Sequence, residues 1–515
     1  MSADDRPSAG PAGVKPGRWA GLGLAAGLVV SAVFGAGLAL SAGAPERWWT
    51  PAAGRTFPAQ LDYDDPTGQL RLLLDRGPMD TRGHPFFEPL GPNGRACVTC
   101  HQPADGMSLS AASAQRRWVE AGAKDPLFAA IDGANCPSLP QAKRESHSLL
   151  LDKGLFRIAR PWPPRDLKGR PIRPDFDIEV VRDPTGCNLS ARWGLRSASP
   201  AVSVFRRPRP VANFKYILAT GFEMDPKAGL PLPIDPETGK PSSHNLMADG
   251  RALSLTAQMR EAGQTHLEMA RALSPAQIAQ IADFEQRLYA AQQADHLGGA
   301  LDAGGAQGGP ATLKASDAGR LGSQGVAVWS EYQPWEDQKP DPQLTAEQQA
   351  FRASVARGAK VFRDHTFLIS DSAGVNSPMG FGNPVRNACV FCHNMSQMGM
   401  DVAPGQVDLG TTNLPFADPQ PDLPLFRITC TGAPHPHYGR VIYTHDPGYA
   451  LTTGRCADVG RITLQSLRGM AARAPYFSNG SAKDLRAVID FYDRRYNIGY
   501  SEQEKQDLVN LMRAL

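Results

Sequence analysis

The longest hydrophobic run lies near the start of the chain. Residues 19–44 carry no charge and follow Arg6, Lys15 and Arg18. A basic segment followed by an apolar one is the pattern of an export signal. The run exceeds the ~7–15 residues of an ordinary signal core and reaches the ~20 that span a bilayer. Ala42-Gly43-Ala44 resembles a cleavage site, but Pro45 follows it directly, which favours an uncleaved apolar helix as anchor over a removed signal peptide. Under both readings the part after Glu46 folds in the periplasm or an equivalent compartment.

Beyond this run the apolar residues recur mostly with helical spacing. Ser274 and Pro275 read as a helix start ahead of Ile278, Ile281, Phe284 and Leu288. Thr345 with Gln348, and Ser501 with Glu504, form capping boxes. The second of these opens a helix with Leu508, Leu511, Met512 and Leu515 on one face. Ser481 with Asp484 resembles a third box, ahead of Leu485, Val488, Ile489 and Tyr492. Residues 258–269 also look helical. Strand signals are few and short. Residues 297–325 are dominated by Gly, Ala, Ser and Asp and read as a linker. The expectation is a mainly α protein with a signal or membrane anchor at 1–45. An N-terminal domain at 46–296, a linker at 297–340 and a C-terminal domain at 341–515 follow.

The chain has 515 residues, room for two or three domains. Its net charge of +3 implies neither a nucleic-acid partner nor an acidic substrate. Cysteine changes the picture more. Four of the eight cysteines sit in Cys97-Val98-Thr99-Cys100-His101 and Cys389-Val390-Phe391-Cys392-His393. Cys-x-x-Cys-His is the attachment motif of c-type haem. The two thiols add to the two vinyl groups of one haem, and the adjacent His reaches its iron. A thioredoxin-like pair has no need of the His, and a zinc site needs the two pairs to converge. Two covalently bound c-type haems are therefore expected, with His101 and His393 as iron ligands, one in each cytochrome c-like domain. Cys136, Cys187, Cys430 and Cys456 remain, and the simplest pairing in an oxidising compartment is one disulfide in each half.

The opposite side of each iron decides function, because a second strong ligand makes an electron carrier and an open position makes a peroxide or oxygen site. For the second haem Tyr492 is a candidate; the bland alternative is a hydrogen-bonded core tyrosine. Met395, Met398 and Met400 more often line a haem pocket than bind iron. His435, His437 and His445 sit in Pro/Gly-rich sequence that reads as surface loop. For the first haem, His266 and Glu268 are candidates for proton transfer, against the alternative of two solvated helix residues.

The segment from Leu467-Arg468-Gly469 to Pro475-Tyr476-Phe477-Ser478-Asn479-Gly480 resembles a signature of the bacterial di-haem cytochrome c peroxidases. That family includes the enzyme that matures tryptophan tryptophylquinone and, more distantly, a haem rubber oxygenase. Asp249-Gly250-Arg251, Ala257-Gln258, Gln264 and Glu268-Met269 are similar to a second family pattern. Segments 104–190 and 401–460 stay unmatched and look like insertions. The resemblance implies Glu268 as the distal catalytic carboxylate, with Gln258 beside it and His266 as a further candidate. It also implies Tyr492 at the position of the second haem's distal ligand. A phenolate ligand there favours storing oxidising equivalents. Ala248 replaces the family's inter-haem Trp, so another aromatic such as Trp193 is a candidate relay. Arg473 replaces a threonine ligand of the family's calcium, which puts calcium in doubt.

The expected activity is that of a periplasmic oxidoreductase reducing hydrogen peroxide at the His101 haem. Electrons arrive through the second haem from a small cytochrome c or cupredoxin, or an organic or protein substrate is oxidised. The alternative is a membrane-tethered electron carrier without catalysis.

Overall fold

A computed structural model describes residues 46–220, 233–317, 330–377, 381–393 and 405–515. The apolar run at 19–44 and Met395, Met398 and Met400 lie outside the described residues. No described helix is long and apolar enough to cross a membrane.

The chain is mixed α/β, not mainly α: 30% is helical and 19% strand. Gln60–Asp64, Gly68–Leu74, Leu288–Asp295 and Gly299–Ala300 form a four-stranded antiparallel sheet. Along Gly68–Leu74 burial alternates, with Leu70, Leu72 and Leu74 turned inward, as a half-buried strand requires. Phe156–Pro161 pairs with Ala201–Arg206. Phe176–Arg182 pairs with Leu425–Cys430, which pairs with Val441–Thr444. This last sheet joins the two segments expected as insertions. Both disulfide-distance pairs, Cys136–Cys187 and Cys430–Cys456, lie in the same region, one in each half.

Local capping chemistry sets several helix starts. Pro275–Gln286, Ala346–Asp364 and Glu502–Ala514 begin at complete capping boxes on Ser274, Thr345 and Ser501. Leu485–Tyr496 is capped by Asp484 itself, not by Ser481. Leu288, expected on the helix after Pro275, instead opens a strand, because the helix ends at Gln286. Ala346–Asp364 packs against Glu502–Ala514 so closely that a side chain at Gly358 would overlap the Asp507 carbonyl. Asp507 fixes that contact by accepting from Ser354 Oγ at 2.5 Å and from Arg357 at 2.8 Å. The stretch read as linker carries a short helix, Pro310–Ala315, and a turn, Ser330–Trp335, with Leu301, Tyr332 and Trp335 buried.

Candidate functional site

Each Cys-x-x-Cys-His motif folds the same way. Cys97–Thr99 and Cys389–Phe391 are single 3-10 turns, and the following His amide bonds back to the first cysteine's carbonyl, at 3.2 Å for His101 and 3.0 Å for His393. The four thiols form no disulfide. Burial pushes Cys100 up to about 12 and Cys389 to about 11, unlike the depressed thiol of a redox pair. Each turn opens on its own cavity, of about 1270 Å³ at His101 and about 1460 Å³ at His393, mouths included.

His101 is ready to be a neutral ligand. Its Nδ1–H donates to the Met107 carbonyl at 3.1 Å, and burial lowers the imidazole to about 4. Several buried polar atoms on this cavity lack any partner: both side-chain atoms of Asn245, Gln258 Oε1, Glu285 Oε2 and Arg207 Nε. Such orphans are rare in a finished interior. A large planar group with polar edges fits both the volume and the orphans.

The structure separates two residues that the sequence grouped. His266 and Gln258 line the His101 cavity. Glu268 lines an adjoining pocket of about 830 Å³ that also touches His266, Ile158 and Arg251. The helix Leu255–Thr265, capped by Ser254, ends with His266 as its last cap, short of the expected 269. Glu268 then adopts φ +53°, and its carboxylate accepts from Asn93 Nδ2 at 3.0 Å. A side chain at Gly91 would overlap the Leu267 carbonyl, so this turn is packed tightly from behind.

His266 is held from both ends. Its carbonyl accepts from Asn93 at 2.9 Å and from Arg95 at 3.2 Å. Its Nδ1 meets Asp132 Oδ2 at 2.5 Å. Asp132 is buried and also pairs with the fully buried Arg95. Burial raises the Asp132 carboxyl, but Arg95 and His266 outweigh it and hold it below its ordinary value. Sequence reasoning missed Asp132, 134 residues away in a segment read as insertion.

Tyr492 lines the second cavity with Cys389, Cys392 and His393. Its ring stacks on Tyr496 at 6.4 Å and meets Phe477 and Phe491 edge-on. Tyr496 bonds Ser372 at 2.9 Å, and Tyr500 meets Cys389 Sγ at 3.6 Å. Among the described residues the Tyr492 hydroxyl makes no such bond, and burial pushes its pKa well up.

Between the cavities, Arg207 and Pro208 line both. Ala248 lines the first, and its carbonyl accepts from the amide of Thr463, which lines the second, at 2.8 Å. Trp193 lines neither; it lies by Arg157 and Arg192. His435 and His437 lie in a largely exposed loop, 431–440, but turn their rings inward, His445 is buried, and none of the three lines either cavity. No group of three His, Cys, Asp or Glu among the described residues is placed to hold a metal ion.

No family model and no solved structure matches the chain. It is 34% identical over 144 residues to Cytochrome-c peroxidase IdrP1 of Pseudomonas sp. (strain SCT), covering 25% of this chain and 36% of that protein. It is 31% identical over 163 residues to Cytochrome-c peroxidase IdrP2 of Denitromonas iodatirespirans, covering 29% of this chain and 42% of that protein. IdrP1 of the same organism is 30% identical over 150 residues, 25% of this chain and 36% of that protein. The chain thus spans less than half the length of these curated relatives, and over the matched stretch it is cytochrome-c peroxidase-like.

Proposed function

We propose that the chain is an exported peroxidase-type oxidoreductase that carries two covalently attached haems and reduces hydrogen peroxide at the first. Cys97, Cys100 and His101 hold one haem; Cys389, Cys392 and His393 hold the other. The observation that carries this reading is the contrast between the two cavities. One is lined by His266, which Asp132 orients, and the other by Tyr492, whose hydroxyl makes no hydrogen bond among the described residues.

Bound haem supplies an iron that takes up oxygen ligands and exchanges single electrons. The protein supplies proton handling. With its Nδ1–H given to Asp132, His266 keeps Nε2 free to take a proton from incoming peroxide and return it to the leaving oxygen. Gln258, whose Oε1 has no partner, positions the substrate. Glu268 lies one pocket further out, where it serves proton exchange with solvent. Tyr492 would help to hold the second haem from the wall of its cavity. Electrons come from a small cytochrome c or cupredoxin, or from an organic or protein substrate. We assign the folded part to the periplasm or its equivalent, with residues 19–44 as signal or anchor. The two disulfide-distance pairs support an oxidising compartment.

The test is EPR of the oxidised protein, with peroxide consumption followed in wild type, His266→Gln and Glu268→Gln. A high-spin ferric signal that responds to peroxide, with turnover lost in His266→Gln, is expected. Two low-spin signals indifferent to peroxide would leave a tethered electron carrier instead.

A further inference from the structure

We propose that Arg207, Arg209 and Arg473 form one carboxylate-binding seat shared by the two cavities, which takes propionate carboxylates of both haems. The inference rests on the two-haem reading above, and it concerns side chains to which that reading gives no role.

The three guanidiniums sit where the cavities meet. Arg207 lines both, Arg209 lines the first and Arg473 lines the second. Arg207 and Arg473 are buried and Arg209 is half-buried. Among the described residues none of them faces a carboxylate. Arg207 donates to the carbonyls of Pro475, Leu109 and Arg473. Arg209 donates to those of Thr463 at 3.3 Å and Leu464 at 3.0 Å. Arg473 donates to those of Ser466 and Arg468. Nε of Arg207 and Nε of Arg473 have no partner at all, and neither does the nearby Thr463 Oγ1. Arg206 faces Asp446 and Asp249, Arg95 faces Asp132, and Arg468 faces Glu331, whereas Arg157, Arg352 and Arg495 donate to carbonyls or a hydroxyl but, unlike Arg207, Arg209 and Arg473, do not cluster where the two cavities meet.

Three like charges in one interior without a counter-charge are strongly unfavourable. Burial and repulsion from Arg473 lower Arg207 and Arg209 to about 9, and burial lowers Arg473 to about 10, the opposite of what a carboxylate partner does. Carbonyls satisfy hydrogens but not charge. The missing partner is anionic and enters from the cavities, since the orphan atoms belong to cavity-lining residues. A carboxylate accepts well from an arginine's Nε and Nη edge. Arg207, common to both cavities, makes one cation answer to both groups.

The experiment compares wild type with Arg207→Gln, Arg209→Gln and Arg473→Gln, and with Arg207→Lys, all as haem-loaded full chains. Haem content of the denatured protein is measured first, then both reduction potentials by spectroelectrochemistry. A lost guanidinium leaves a propionate charge unbalanced and favours the ferric state, so potentials fall. Arg207→Gln is expected to shift the oxidised-to-reduced ratio of both haems about tenfold, 59 mV for one electron. Arg207→Lys retains most of the wild-type value. Arg209→Gln, the half-buried and better tolerated change, moves the first haem alone, and Arg473→Gln the second.

Fewer than two attached haems would defeat the two-haem reading. Two attached haems with potentials unmoved in Arg207→Gln and Arg209→Gln would overturn this proposal and leave that reading intact. Inorganic phosphate separates the remaining source of an anion. Wild-type potentials independent of phosphate support propionates in the seat, whereas potentials that follow phosphate concentration show a seat open to free anions and overturn it.

Discussion

Replacing Asp132 by Asn keeps the volume of a residue that is 3% exposed and removes one charge. The carboxylate now serves two donors, Arg95 on one oxygen and His266 on the other. An amide has a single acceptor oxygen. The guanidinium of Arg95 is 0% exposed and has only carbonyls as its other partners, so it takes that oxygen. The Asn amide nitrogen then faces His266 Nδ1 and donates to it. This fixes the other tautomer, with the proton on Nε2, and the base is lost. General acid–base catalysis is worth roughly 10²–10⁴-fold, so kcat/KM for peroxide falls by that factor and His266→Gln falls equally. Stability falls by about 1.5–3 kcal/mol, the worth of a hydrogen bond to a charged group. His266→Gln spares the Arg95–Asp132 pair and loses less. The Asp132 carboxyl lies below its ordinary value when folded, so its contribution is present above the ordinary carboxylate range near ~3.9. It fades as pH drops through the folded value, and the stability gap between wild type and Asp132→Asn closes in acid. Steady-state peroxide kinetics with thermal unfolding at several pH values measures all of this. An Asp132→Asn protein that keeps kcat/KM within about threefold refutes the orienting role.

Glu285, buried on the first cavity with burial alone raising it to about 8, is protonated in the folded chain at neutral pH. Its ordinary value is 4.5, so wild-type stability falls as pH rises between these two values. Glu285→Gln removes this slope and is ~3 kcal/mol more stable at pH 7, a difference that denaturant unfolding detects and that vanishes near pH 4. Removing the Cys136–Cys187 pair opens a separation of 51 residues and removing Cys430–Cys456 one of 26. Chain entropy predicts losses of about 4 and about 3.5 kcal/mol, which denaturant unfolding measures. Tyr492→Phe alters the second haem's low-spin signal whereas Tyr496→Phe does not; equal, unchanged spectra in both exclude Tyr492 from the iron.

What was legible in the sequence was local. Ser274, Thr345 and Ser501 announce their helices because a cap is a contract between residues three apart. The haem motifs are equally local. The strands were not legible, because their partners lie far away: Phe176–Arg182 finds its neighbour at Leu425–Cys430. Short alternating stretches carry little signal until the partner is known. The site divides in the same way. Helical spacing puts Tyr492 on the apolar face of Leu485–Tyr496, whereas Gln258 is named only through the family resemblance; the two line the second and the first cavity. Glu268 was read as a continuation of that helix, whereas the chain leaves the helix at His266 and turns through a left-handed residue. Backbone direction after a helix end depends on what packs behind it, here Gly91 against Leu267, and no periodicity encodes that.

The segments that looked like insertions are therefore joined to the candidate site. One supplies Asp132, which orients His266, and Ile131, Arg157, Ile158 and Ala159, which wall the outer pocket opposite Glu268. The other pairs with it strand to strand and supplies Asp446, which neutralises the buried Arg206 beside the first cavity. Asp249 shares that guanidinium, and Arg251 draws Asp249 in turn, so the Asp-Gly-Arg motif is tied to both segments through one ionic network. Taking the first segment away would leave Arg95 buried without its charge partner, a loss of about 3–5 kcal/mol, and taking the second away would leave Arg206 with Asp249 alone. Such additions cannot be trimmed independently of the site.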